Sequence, residues 1–371
     1  MGASLGFIPG FLATVLSEDL DVSRGMIGLI VGIYFGATGI GSIPAGRFTD
    51  KFGARNVATI NMLLVAGSSL LIAFFDNYAM WIIGSVVGGM GYALGNTSTN
   101  VAIGHAVPLE RRALAMSVKT SGVPLMATIA AAITPWAANV WSWERVLVFN
   151  AIVAAISGIF TYFVLDDNRS ESTTGSGLIP LPKDFYWFGI AAFLLIGGSQ
   201  PLYSWTVSYL EESLNAPASL SGGIMAIASF TGVIVMICNG VWADRLGELK
   251  RIPLVMLLLS VSALSVCLVI LGTILGTFIV VIGLTLGVST QLAAIGTMHA
   301  AVIDKAPKSV GRATGVTMTG YYLGALVTPA GFGLLVDISD TYIYSWLATL
   351  VILITAVGAW HRAGKVQTQR D

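Results

Sequence analysis

Apolar residues run along this chain in blocks of membrane length separated by short polar stretches, a pattern that predicts about twelve helical spans. In the first half the spans are 2–16, 26–47, 55–75, 78–104, 112–138 and 144–165. In the second they are 185–210, 219–243, 252–272, 275–303, 312–336 and 341–361. Crossing ~30 Å of hydrocarbon takes ~20 helical residues, because every backbone N–H and C=O there must find its partner within the segment. Only the first span is short. Gly2 to Leu16 gives ~22 Å of helix, so the start of that helix is expected to lie upstream of Met1. The opening residues lack the basic region of a signal peptide, and Gly6 fails the Ser/Thr position of a myristoylation signal. Residues 166–184 form a polar, low-complexity stretch that reads as a linker between an N-terminal bundle, 1–165, and a C-terminal bundle with a short tail, 185–371.

Composition agrees. Hydrophobic residues make up 55% and charged residues 10% of the 371, and the mean hydropathy is +0.83, which leaves too little polar surface to solvate a water-soluble domain. The two cysteines, Cys238 and Cys267, fall inside predicted spans, where a disulfide is not expected and no metal-ligand spacing exists.

A charged turn then appears twice. Gly46-Arg47-Phe48-Thr49-Asp50-Lys51-Phe52-Gly53-Ala54-Arg55 joins spans two and three, and Gly240-Val241-Trp242-Ala243-Asp244-Arg245-Leu246-Gly247 joins spans eight and nine, 194 positions later. A G-x-x-x-D-(R/K)-x-G turn at this place in each half resembles the major facilitator superfamily, over nearly the whole chain. The resemblance implies an all-α membrane protein of two six-helix bundles related by a pseudo-two-fold axis, working as a secondary transporter by alternating access. It also implies that Gly46, Asp50, Lys51, Gly53, Arg55, Gly240, Asp244, Arg245 and Gly247 belong to a gate. Glycine suits the tight turn, and each aspartate stands where it can pair with a base and face a helix N-terminus. Ala54 and Glu248 occupy positions usually basic in the superfamily and Leu249 is apolar, so the second gate is expected to be the weaker.

Charge placement sets the orientation. With the motif turns inside, 16 of the 19 basic residues face the cytoplasm, while the outer loops hold Arg24 and Arg145 among acids that include Glu18, Asp19, Asp21, Glu211, Glu212 and Asp337. A plasma (inner) membrane protein with both termini cytoplasmic is expected. The balanced formal charge therefore hides an inside-positive asymmetry and gives no reason to expect nucleic acid as a partner.

The remaining base is Lys119, inside span five. An ammonium at the middle of a membrane helix costs ~2.5–3.5 kcal/mol on insertion scales, and every carboxylate falls in a loop or at a span end. A buried cation beside Thr120 and Ser121 points to a site for an anionic substrate group; the alternative is a lysine that snorkels to the headgroups. Gly122 and Pro124 are expected to loosen or kink the helix just beyond it. Polar residues too costly to face lipid should line the same cavity: Asn96 and Asn100 in span four, Gln200 and Tyr203 in span seven, Gln291 in span ten, and Tyr321 and Tyr322 in span eleven. Trp205 and Tyr209 fit either the cavity or the outer interfacial belt. His105 and His299, again 194 apart, are candidates for proton coupling.

This stretch of span five resembles that of a prokaryotic branch of facilitators with largely unassigned substrates. It lacks the G-P-x-x-G-G signature of drug–proton antiporters, and Gly84 stands about where their fourth-helix arginine would fall. No H-E-x-x-H, G-x-S-x-G or Ser/Lys constellation suggests an enzyme, and a channel would not require two motif-bearing halves. The expectation is a monomeric carrier without cofactor or metal, moving a small organic anion with or without a coupling ion such as a proton or sodium. An exporter of amphipathic compounds and a carrier of a neutral metabolite are the alternatives.

Overall fold

The computed structural model describes residues 2–75, 77–106, 109–165, 181–306 and 309–368, except the side chains of 43, 50, 104–106, 109–117, 310 and 311. Fourteen α-helices and no strand occur among the described residues: α1 Ser4–Phe11, α2 Ala13–Asp19, α3 Arg24–Phe52, α4 Ala54–Phe75, α5 Tyr78–Ala106, α6 Leu109–Val140, α7 Trp143–Val164, α8 Tyr186–Ser204, α9 Thr206–Leu214, α10 Ala218–Leu246, α11 Glu248–Leu275, α12 Thr277–Lys305, α13 Val310–Ser339 and α14 Tyr342–Gly364. Ten of them are long and apolar enough to cross a membrane. The pairs α1/α2 and α8/α9 stand at the expected first and seventh spans, each interrupted by one residue, Leu12 and Trp205.

The broken helices were not foreseen at these places. Gly122 and Pro124, where the sequence predicts a loosened or kinked helix, lie within α6, which is continuous through Pro124 and Pro135. At the α8/α9 junction Pro201, which has no N–H to give the ladder, lies four residues before Trp205, whose own N–H closes onto the Pro201 carbonyl at 3.0 Å. The Trp205 ring, 1% exposed, stacks on Phe332 at 5.7 Å and its Nε1 donates to the Pro329 carbonyl at 3.1 Å. Trp205 and Tyr209 are thus core residues rather than members of an interfacial belt.

Each motif turn is a single glycine. Gly53 ends α3 with φ +82° and Gly247 ends α10 with φ +77°, the left-handed side that a side chain resists, and the next helix begins at the following residue. Within bundles, buried polar pairs join neighbouring helices: Asn150 donates to Ser69 at 2.9 Å between α7 and α4, and Asn239 to Thr297 at 2.6 Å between α10 and α12. Hydrogen bonds between helices are worth ~0.6–2 kcal/mol in a membrane, so they specify register more than they supply stability.

The two bundles meet along glycine. A Cβ on Gly28 would stand 2.2 Å from the Pro329 carbonyl oxygen, one on Gly32 2.1 Å from that of Leu326, and one on Gly39 2.7 Å from the Tyr322 side chain, so α3 lies directly on α13. In the symmetry-related seam Gly222 of α10 meets the Ala131 carbonyl of α6, where a Cβ would come to 2.3 Å. These approaches belong to the half of the molecule away from the motif turns. Gly46, further along α3 toward the motif face, would meet nothing within 4 Å, and neither would Gly240. On α12 and α13 the glycines have a different use, since Gly283, Gly287, Gly320 and Gly324 pack within their own bundle on α11 and α8.

Gly32→Ala is therefore expected to lower the melting temperature and to raise labelling of a cysteine placed at Ser204, which is buried against Gly10 of the other bundle. Gly67→Ala, where an added Cβ meets nothing, is expected to be neutral or to stabilise by up to ~1 kcal/mol through helix propensity. Equal melting temperatures for the two variants would contradict the seam.

Candidate functional site

Three side chains on two helices converge midway through the N-terminal bundle. Tyr92, Asn96 and Asn100 follow one another at four-residue intervals down α5, which puts them on one face. Lys119 of α6 reaches across to that face: its Nζ donates to Asn96 Oδ1, to the Asn96 carbonyl at 3.3 Å and to Asn100 Oδ1 at 2.7 Å. Lys119 stands about one third of the way along α6, and its ammonium bonds to amide oxygens of the neighbouring helix. It is thus not unpartnered, as the sequence suggested, but among the described residues its partners are neutral and no carboxylate bonds to it.

His299, on α12 of the other bundle, is exposed in the structure. His105 and the Asp50 side chain lie outside the described side chains. Thr120 is exposed and has no assigned partner in the cluster.

One turn above Asn96, toward the far face, aromatic rings from both bundles close together. Tyr34 and Tyr92 stack at 6.1 Å, Tyr321 and Tyr322 meet edge-on at 5.4 Å, and Tyr203 approaches Phe7 at 6.0 Å. Tyr322 lies against Gly39 of the opposite bundle. Gln200 is 5% exposed and Gln291 is fully buried with both amide atoms unpartnered, as is the Tyr203 hydroxyl. Buried polar atoms without partners are unusual in a membrane interior and mark places where a polar ligand or water would be stabilised.

In the second motif turn the aspartate pairs with a base from beyond the motif. Asp244 pairs with Arg251 at 3.1 Å, not with Arg245, which is exposed; Arg251 in turn makes two bonds to Asp304 of α12 at 2.7 and 2.8 Å. Arg251 carried no signal because it stands outside the motif spacing. In the first copy the Arg55 guanidinium lies over the Tyr162 ring at 5.0 Å and exposed Lys51 over Phe52 at 5.2 Å.

A second cluster, missed entirely from the sequence, ties the bundles together at the far face. Arg24 at the first turn of α3 donates to Glu212 of α9 through Nε at 2.8 Å and Nη2 at 2.5 Å. Tyr342 of α14 donates its hydroxyl to the same carboxylate at 3.1 Å. Asp337 of α13 accepts from the backbone N–H groups of Arg24 at 3.0 Å and Gly25 at 2.7 Å, so a carboxylate of one bundle caps a helix of the other. All four residues were assigned to outer loops or span ends, but separations of up to 313 positions hid their pairing.

The family profile of the Major Facilitator Superfamily matches residues 1–329, and the chain belongs to that superfamily. It is similar to the gentisate transporter of Corynebacterium glutamicum, at 25% identity over 88% of this chain and 76% of that protein. It is also similar to the 4-hydroxybenzoate transporter of Acinetobacter baylyi, at 23% identity over 43% of this chain and 35% of that one, so it matches about a third of that relative's length. Among solved structures, a bacterial homologue of the human lysosomal transporter Spinster, in an inward-facing conformation, superposes with a TM-score of 0.79 at 13% identity, covering 98% of this chain and 95% of that one. The protein is a multi-pass membrane transporter and not an enzyme.

Asp337→Asn keeps the shape of the cap but weakens its charge-assisted bonds, and Arg24→Gln strands Glu212. Each is expected to cost about 1–3 kcal/mol of far-face closure. Labelling of a cysteine at buried Ser204 should rise in both variants and fall back when the ligand-free protein carries an engineered crosslink between α3 and α13. Unchanged labelling in both would show that glycine packing alone closes this side.

Proposed function

We propose that the protein moves a small organic anion, with aromatic carboxylates first among the candidates, and that the carboxylate sits at Lys119. One observation carries this reading: a lysine about one third of the way along α6 whose bonding partners are amide oxygens of Asn96 and Asn100. A cation in that setting has had its desolvation offset only in part, and an anion arriving from water would complete the offset. The Tyr92 and Tyr34 rings one turn above, with Tyr321 and Tyr322 opposite, offer a stacking surface for the rest of the molecule. The names of the two relatives, transporters of gentisate and of 4-hydroxybenzoate, fit the same chemistry.

In this reading the motif face is cytoplasmic, the membrane is the plasma (inner) membrane, and the two bundles divide at 166–184. The far-face cluster keeps the site shut from outside while it stands open to the motif face. Substrate binding at Lys119 releases the ammonium from the asparagines, the bundles rock, and the Gly53 and Gly247 turns with Asp244 and Arg251 hold the motif face when it closes. His299 is the candidate for responding to the bound anion or for carrying a coupled proton from the second bundle.

Thermal stability with a panel of aromatic carboxylates, neutral sugars and lipophilic cations is the test, with Lys119→Ala alongside. A ligand at ~100 times its dissociation constant stabilises the state it binds by ~2.7 kcal/mol. A carboxylate should raise the melting temperature, and Lys119→Ala should weaken its binding roughly 30-fold, the equivalent of about 2 kcal/mol for a lost charged hydrogen bond. A response to lipophilic cations alone, unaltered in Lys119→Ala, would replace this reading with an exporter of amphipathic compounds.

A further inference from the structure

On the motif face, away from the substrate path, the C-terminal bundle carries a cavity of about 290 Å³ lined by Lys183, Asp184, Trp187, Arg362, Lys365, Val366 and Gln367. It sits where two spans end together, at the first turn of α8 and the last turn of α14. Three cations against one carboxylate leave it strongly positive, and among the described residues the side chains of Lys183, Arg362 and Lys365 have no assigned hydrogen bond or ion pair.

The floor of the cavity is built rather than frayed. Lys305, the last residue of α12, donates its Nζ to the carbonyls of Gly364 at 3.0 Å and Val366 at 2.8 Å, and Val366 is 5% exposed. That bond pins the chain leaving α14 beneath the cavity. It also covers carbonyls at the negative end of α14, which would otherwise repel an anion. The wall carries half-buried Trp187, whose ring lies 5.6 Å from that of Tyr186, itself 55% exposed. Such a pair at a span end is the mark of headgroup depth.

We propose that this cavity holds the phosphodiester headgroup of an anionic phospholipid. Arg362 supplies a planar fork for two phosphate oxygens, Lys183 and Lys365 supply point charges, and Trp187 packs on the glycerol. A soluble phosphate compound would meet the same cations. The depth marked by Tyr186 and Trp187, together with the adjoining lipid-facing ends of α8 and α14, favours a headgroup whose acyl chains run down the bundle. The cavity volume lies near the lower end of the ~300–1,000 Å³ typical of ligand pockets, enough for a headgroup and small for a nucleotide. Occupancy would fasten the start of α8 to the end of α14.

Native mass spectrometry on the full chain, from equal mixtures of phosphatidylglycerol and phosphatidylcholine, tests this. Wild type should retain phosphatidylglycerol preferentially. The double variant Arg362→Ala/Lys365→Ala should lose about 30-fold of that preference, the factor for two cation contacts at a membrane surface, while Lys250→Ala on the same face should not. Melting temperature in detergent without added lipid checks that the double variant is folded; if it is not, Lys183→Gln is used in its place. Equal retention of the two lipids, or an unchanged preference in the variants, would overturn the proposal. Displacement of the lipid by millimolar inorganic phosphate as readily as by phosphatidylglycerol would also overturn it, assigning the cavity to a soluble anion.

Discussion

A bilayer interior has no water to hydrate a peptide group or a charge, and nearly every feature of this protein follows from that lack. Backbone groups are satisfied by helices, which is why apolar blocks of membrane length translate so directly into ten long spans. Charges are driven to the helix ends, where they accumulate on two opposite faces. What is left inside, among the described residues, is a set of polar exceptions. Lys119 is held by two asparagines. Gln291 and Tyr203 stand buried with unused bonding capacity.

The two faces use their charges differently. At the far face Arg24, Glu212, Asp337 and Tyr342 bridge the bundles, whereas the motif-face group of Asp244, Arg251 and Asp304 lies within one bundle. A bond that crosses the moving boundary favours one conformation of the carrier; a bond inside a bundle keeps that bundle rigid in both. The observed closure of the far side is therefore the state in which the crossing bonds are made.

Local signals in the sequence were read well because they act locally. The doubled turn marked Gly53 and Gly247, and both take positive φ. Other features depend on partners distant in sequence. Nothing around Arg24 discloses that Asp337 will cap its helix, and Arg251 gives no hint that it, rather than Arg245, answers Asp244. The interruptions at Leu12 and Trp205 gave no comparable local signal, and they fall in helices that pack against the opposite bundle. Asparagines at 96 and 100 were recognised as polar and inward, but their role in holding the ammonium needed the packing of α5 on α6.

The glycine seam between α3 and α13 bears on how such a carrier can cycle quickly. A surface of interdigitating side chains must settle into one set of rotamers each time it closes and lose that order each time it opens, at up to ~2 kcal/mol for each long side chain. Gly28 and Gly32 present bare backbone to the carbonyls of Pro329 and Leu326. Those contacts have no rotamers to sort, so that part of the boundary can part and rejoin as two rigid rails, with little ordering entropy lost or regained at each turn of the cycle.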